Sequence, residues 1–124
     1  MGELVIGKHV YGELYGCPSS LLWDEEAIVD AVKKAAEKAN ATLLEIKSWK
    51  IGGSKGGVSV LALVVESHIA VHTWPLNNYV TVDVYTCGEK TDPWSAFKHL
   101  VDFFKPKRYT VHYSDRSQLP VSIG

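Results

Sequence analysis

Val58-Ser59-Val60-Leu61-Ala62-Leu63-Val64-Val65-Glu66-Ser67-His68-Ile69-Ala70-Val71-His72-Thr73-Trp74-Pro75 is the stretch that decides the architecture. Val58 to Val65 is a nearly unbroken β-branched and apolar run, the pattern of a strand buried on both faces. Glu66-Ser67 interrupts it, the strand pattern resumes from His68 to Trp74, and Pro75, with no N–H to pair, ends it. A polar tripeptide, Glu66-Ser67-His68, within so apolar a region costs desolvation energy unless its groups are paired or a tight turn exposes them. It reads as a bulge or hairpin corner, or as a strained peptide bond whose serine hydroxyl attacks the preceding carbonyl.

Working outward, Thr42 to Lys50 alternates Leu44 and Ile46 as a strand does, and Gly52-Gly53-Ser54-Lys55-Gly56-Gly57 joins it to the central run. That glycine loop lacks phosphate-loop spacing and connects two strands instead of opening a helix, so it reads as a hairpin loop. Asp24-Glu25-Glu26 opens a helix whose apolar face, Ile28, Ala31, Val32, Ala35, Ala36 and Ala39, follows the 3.6-residue period up to a stop at Asn40. Before it, Lys8 to Gly16 is an aromatic-rich strand broken by Cys17-Pro18. On the other side, Tyr79 to Thr86 sets Val80, Val82 and Val84 against Thr81, Asp83 and Tyr85. Asp92-Pro93 then caps a second helix with Trp94, Phe97, Val101 and Phe104 inward, Pro106 stops it, and Arg108 to Tyr113 is a last strand. The tail, Ser114 to Gly124, is polar and unpatterned. The order β-α-β-β-β-β-α-β predicts an α+β two-layer sandwich, an antiparallel sheet with two helices on one face, as a single domain over residues 1–124. The other face, with its Trp, Tyr and Val, offers an oligomer surface.

The chain of 124 residues carries 13 Lys and Arg against 14 Asp and Glu, a net charge of −1. Nucleic acid is excluded as a partner, because phosphate attraction needs a clustered positive surplus. The longest apolar run, Val60 to Val65, falls far short of the ~20 residues of a membrane helix, and no secretory leader is expected at Met1-Gly2-Glu3-Leu4. Two cysteines fit reduced thiols in the cytoplasm better than a disulfide framework. His68 and His72 share a strand face about 13 Å apart, too far to ligate one metal ion, so no metal site is expected. Cys17 reads as a small half-buried residue, whereas Cys87, ending a strand at Thr86-Cys87-Gly88, is placed to project into a cleft. His9, His99 and His112 have no motif around them and read as surface or sheet-edge residues, and the four tryptophans read as core or interface.

Val58-Ser59-Val60, Glu66-Ser67-His68-Ile69, Val71-His72-Thr73-Trp74-Pro75 and Asp83-Val84-Tyr85-Thr86-Cys87-Gly88-Glu89 resemble the small prokaryotic S-adenosylmethionine decarboxylase family. The likeness runs from Gly7-Lys8-His9 through Asp92-Pro93-Trp94 to about Tyr113. It implies a self-cleaving zymogen in which Ser67 adds to the carbonyl of Glu66, giving an ester whose elimination yields chains 1–66 and 67–124. Ser67 then becomes a pyruvoyl group, the cofactor that forms a Schiff base with the substrate amine. The resemblance further implies that His72 accepts a proton during processing, that Ser59 assists, and that Cys87 donates a proton to the substrate carbon after carbon dioxide leaves. The chemistry is sound, because decarboxylating an amino acid needs an electron sink and no ordinary side chain is one.

The family usually has a glutamate after Thr-Trp-Pro to hold the ribose hydroxyls of S-adenosylmethionine; here Leu76 stands there. A leucine accepts no hydrogen bond, a loss of ~1.5–3 kcal/mol per charge-assisted bond. The segments 7–16, 53–58 and 108–117 are more similar to an archaeal branch that decarboxylates arginine. The expected function is therefore conversion of L-arginine to agmatine and carbon dioxide in polyamine biosynthesis. S-adenosylmethionine is the alternative substrate, with ornithine also open, and an unprocessed, non-catalytic ligand-binding domain is the alternative of another class. A guanidinium wants a carboxylate: Glu13 and Asp83 are candidates, and Glu13 and Leu76 are the expected substrate contacts. The expected partners are a small-molecule substrate and further copies of itself, as a dimer or higher oligomer of two-chain protomers, with neither nucleic acid nor membrane.

Overall fold

The computed structural model, which describes residues 3–118, builds on the expected strand-turn-strand unit. Its elements are β1 (Gly7–Tyr15), α1 (Ser19–Leu22), α2 (Glu25–Lys38), β2 (Leu43–Ile51), β3 (Gly57–Val64), β4 (Ser67–Trp74), β5 (Tyr79–Cys87), α3 (Pro93–Phe104) and β6 (Arg108–Asp115). One antiparallel sheet carries the six strands in the order β2-β3-β4-β5-β1-β6, with α2 and α3 on one face. The α+β sandwich is as expected, with two additions, the single-turn α1 and a 3-10 turn at Pro75–Asn77. β6 extends through Asp115 into the stretch read as unpatterned tail, and positions 1–2 and 119–124 lie outside the described residues. No helix among the described residues is long and apolar enough to cross a membrane.

Local chemistry sets the helix ends. Asp24 accepts from the Ala27 N–H at 3.2 Å, which caps α2, and Asn40 just past its end takes a left-handed φ of 57°. Asp92 accepts from the Ser95 N–H at 3.2 Å, with Pro93 at the first helical position of α3. The inner face of α3 differs from expectation. Ala96, Phe97, Leu100 and Phe104 are buried, whereas Trp94 is 48 % exposed and stacks on Tyr113. At the first turn of α3 the large ring meets the edge strand β6 instead of the core.

The central run also departs from expectation. Val58, Val60, Ala62 and Val64 are buried under the helices, but Leu61 and Leu63 are 44 % and 52 % exposed, so β3 is covered on one face only. Residue parity sends these leucines to the helix-free face, where nothing within the chain covers them. That face also carries Trp49, Ala70, His72, Trp74 and Tyr79. None of the four tryptophans is core: Trp49 and Trp94 are exposed, and Trp23 and Trp74 are half-buried. Close strand packing fixes Gly57, where an added Cβ would sit 1.9 Å from the Thr73 carbonyl oxygen. Thr73 itself is buried, accepting from the Val58 N–H and donating to the Leu22 carbonyl, which ties the hairpin to α1.

Candidate active site

β3 and β4 pair as far as Val64 opposite Ser67, which leaves Val65-Glu66 as a two-residue turn. The hairpin-corner reading and the strained-bond reading therefore meet at one place, since Ser67 begins β4 with φ 152°, a region L-residues avoid. Such a conformation costs on the order of 1–3 kcal/mol and persists only where its surroundings over-determine it. Here they do. The Glu66 carboxylate accepts from the Thr42 N–H at 2.9 Å, and the Val65 N–H donates to the Thr42 carbonyl at 2.8 Å.

Cys87 closes on this turn from the end of β5. Its thiol donates to the Glu66 carbonyl oxygen across 3.0 Å, so the carbonyl preceding Ser67 is already polarised. The loop behind the thiol is held from three directions. Thr91 Oγ1 donates to the carbonyls of Cys87 and Gly88, and the Gly88 N–H, at φ 103°, donates to Ile6. Lys8 Nζ donates to the carbonyls of Glu89 and Thr91 at 3.2 and 2.8 Å. A cavity of about 950 Å³ opens beside Glu66 and Cys87, lined also by Ile6, Asn40, Glu89 and Lys90.

Ser59 and His72 form a second cluster. They are register partners, with Ser59 Oγ 2.8 Å from His72 Nδ1. His72 lies five residues along β4 from Ser67, roughly 16 Å at ~3.3 Å per residue. One chain thus brings Ser67 to Cys87 and Ser59 to His72, but does not bring the two pairs together. Leu76 lies beyond His72 in the 3-10 turn and is 65 % exposed. Of the proposed guanidinium partners, Glu13 accepts from Thr110 Oγ1 and lies 3.4 Å from His112 Nε2. Asp83 is taken by His9 at 2.6 Å and His68 at 3.0 Å. Neither lines the cavity beside Cys87.

Burial raises the Asp83 carboxyl, but hydrogen bonds from His68 and His9 outweigh it and hold the group below its ordinary value. Cys17 is fully buried and burial pushes its thiol up to about 11, which makes it an inert packing residue. The His9–Asp83–His68 arrangement was not read from sequence: 74 residues separate His9 from Asp83, and only the outward parity of Asp83 on its strand hinted at it.

Residues 8–117 match the family model described as S-adenosylmethionine decarboxylase. The chain belongs to that family. It is 58 % identical over 119 residues to the arginine decarboxylase proenzyme of Hyperthermus butylicus, covering 96 % of this chain and 84 % of that protein. It is 60 % identical over 114 residues to the arginine decarboxylase proenzyme of Pyrobaculum arsenaticum, covering 91 % and 86 %. A crystal structure of the adenosylmethionine decarboxylase from Aquifex aeolicus VF5 superposes with a TM-score of 0.86 at 27 % identity, over 98 % of this chain and 99 % of that one. Membership in the S-adenosylmethionine decarboxylase family makes this chain a carboxy-lyase by descent, as its motifs implied.

Proposed function

We propose that the chain is a cytoplasmic proenzyme that cuts itself between Glu66 and Ser67 and then decarboxylates arginine to agmatine. The observation that carries this reading is the Cys87 thiol on the Glu66 carbonyl, at a turn where Ser67 sits at φ 152°. Ser67 Oγ adds to the Glu66 carbonyl carbon, and the C–N bond breaks to leave an ester and a free amine on residue 67. The thiol stabilises the oxyanion that develops on the way. Removal of the residue 67 Cα proton then expels the Glu66 carboxylate, and water displaces ammonia from the dehydroalanine that remains. The resulting pyruvoyl group supplies the electron sink that ordinary side chains lack. Cys87 holds a proton beside residue 67 for the carbon that loses carbon dioxide.

The base for the Cα proton is read as the partner subunit's His72, because the chain's own His72 stands roughly 16 Å along the strand from Ser67. The helix-free sheet face, with Leu61, Leu63 and Trp49 uncovered, is the surface on which that copy packs. In this reading each site joins Ser67 and Cys87 of one protomer to the partner subunit's Ser59 and the partner subunit's His72, since a single chain keeps the two pairs apart.

The substrate reading rests on the relatives named arginine decarboxylase proenzymes, and on Leu76, which offers a ribose no acceptor. The cavity walls suit a cation, with Glu3, Glu66 and Glu89 against a single Lys90. Mass spectrometry under denaturing conditions tests the cleavage: the protein resolves into chains of 66 and 58 residues, the second without a free amine, and Ser67→Ala stays whole. Borohydride with arginine then adds mass to the 67–124 chain, whereas ornithine and S-adenosylmethionine do not. A wild-type chain that remains intact overturns the enzyme reading, and labelling by S-adenosylmethionine alone overturns the substrate.

A further inference from the structure

His9, Asp83 and His68 take no part in the chemistry above, yet they form a three-residue polar cluster on the open sheet face. The Asp83 carboxylate can only accept, so each imidazole presents Nε2–H to it, His9 to one oxygen at 2.6 Å and His68 to the other at 3.0 Å. Both contacts are diagonal across strands, because His68 and His9 stand opposite Tyr85, two residues along β5 from Asp83. The Tyr85 ring lies between the two imidazoles, its centroid 5.7 Å from each, and the Arg116 guanidinium covers it at 4.3 Å.

Position in the chain gives the cluster its meaning. Pairing of β4 with β3 begins at Ser67, but pairing with β5 begins only at His68. His68 is therefore the first residue of the strand paired on both sides, next to the residue that reacts. While the chain is whole, the Val65-Glu66 turn tethers residue 67 covalently. Once it is cut, residue 67 is a strand terminus, and termini fray.

Resting on the cleavage proposed above, we propose that the His9–Asp83–His68 cluster is a positioning device that holds the new end of the 67–124 chain in register after the cut. His68 and Asp83 belong to that chain and His9 to the 1–66 chain, so the cluster references the reactive end to the fragment that keeps Glu66. A displacement of about 1 Å at a reacting atom can cost roughly 100-fold in rate. A side-chain tie one residue away from that atom is thus worth more to turnover than to stability.

Three variants test this: His68→Leu, His68→Gln, which keeps an N–H donor at similar reach, and Asp83→Ala. All three are expected to be cut like the wild type, because the covalent turn positions Ser67 before cleavage. In the cut proteins, exchange of the amides of residues 68–70 is expected to rise about tenfold in His68→Leu and Asp83→Ala but not in His68→Gln. Turnover number is expected to fall about tenfold or more in the first two, with KM within about threefold, and to be rescued by glutamine. Unchanged exchange and turnover in cut His68→Leu overturns the positioning role. So does His68→Gln failing as His68→Leu does with a limb of the pH–rate profile lost, since His68 would then be moving a proton. An uncut wild-type chain overturns the cleavage reading first, and this inference with it.

Discussion

Ser67→Ala and His72→Ala chains, each inert alone, should restore cleavage when they assemble together. Within one chain the His72 imidazole stands roughly 16 Å from Ser67, against the ~3–3.5 Å that proton transfer requires. In a dimer mixed from the two variants, one site joins Ser67 and Cys87 of the His72→Ala chain to the intact Ser59 and His72 of the Ser67→Ala chain. The other site lacks both groups. With equal amounts and random pairing, about half of the dimers are mixed, so about half of the His72→Ala chains are cut and about a quarter of all chains. Co-expression followed by mass spectrometry reads this directly, because every 67–124 fragment must carry the His72→Ala substitution. A mixture shown by differently tagged copies to co-assemble, yet containing only whole chains, would refute the shared site.

Cys87→Ala should slow self-cleavage about tenfold, since one weak donor to the Glu66 carbonyl is lost, and lower turnover of cut enzyme about 100-fold or more. Cleavage half-times and carbon dioxide release check both, and unchanged turnover removes the thiol from the mechanism. Leu63→Glu, exposed in the single chain, should leave the fold intact on circular dichroism but give a monomer on size exclusion that remains whole. Gly57→Ala should cost about 1–3 kcal/mol in denaturant unfolding, because its Cβ would overlap the Thr73 carbonyl. Asp83 has its folded-state value lowered by His68 and His9 against the opposing effect of burial, so its contribution to stability is full above the ordinary aspartate value. That contribution is lost as pH falls through the lower folded value, and Asp83→Asn should flatten this acid limb in thermal melts taken at successive pH values.

The features legible in sequence were those set by near neighbours. Asp24 and Asp92 cap their helices because a side-chain oxygen reaches an N–H three residues on, and the glycine loop turns over Ser54-Lys55, where the Gly56 N–H donates to the Gly53 carbonyl. What escaped depends on distant partners. The apolar density of Val58 to Val65 was read as burial on both faces, but Leu61 and Leu63 face outward, where nothing within the chain covers them. The four residues of α1 are too few to show a period, and Trp94 satisfied the helical spacing while lying at the rim. In the site, the motif placed Ser67, His72 and Cys87 on the right strands. Spacing alone could not show that Ser59 meets His72 while Cys87 meets the Glu66 carbonyl before Ser67, because sheet register decides it. The cluster around Asp83 joins three strands and leaves no local trace.

The strand order β2-β3-β4-β5-β1-β6 has a kinetic consequence for a chain cut in the turn before β4. The 1–66 fragment contributes β1, β2 and β3, the 67–124 fragment β4, β5 and β6, and β1 is threaded between β5 and β6 of the other piece. The two products are interlocked through the sheet and cannot drift apart by opening a single seam. Assembly is a first-order event while the chain is whole and becomes a second-order event afterwards. A mature molecule that has been unfolded must find its other half, at a rate that falls with dilution, whereas the precursor needs only itself.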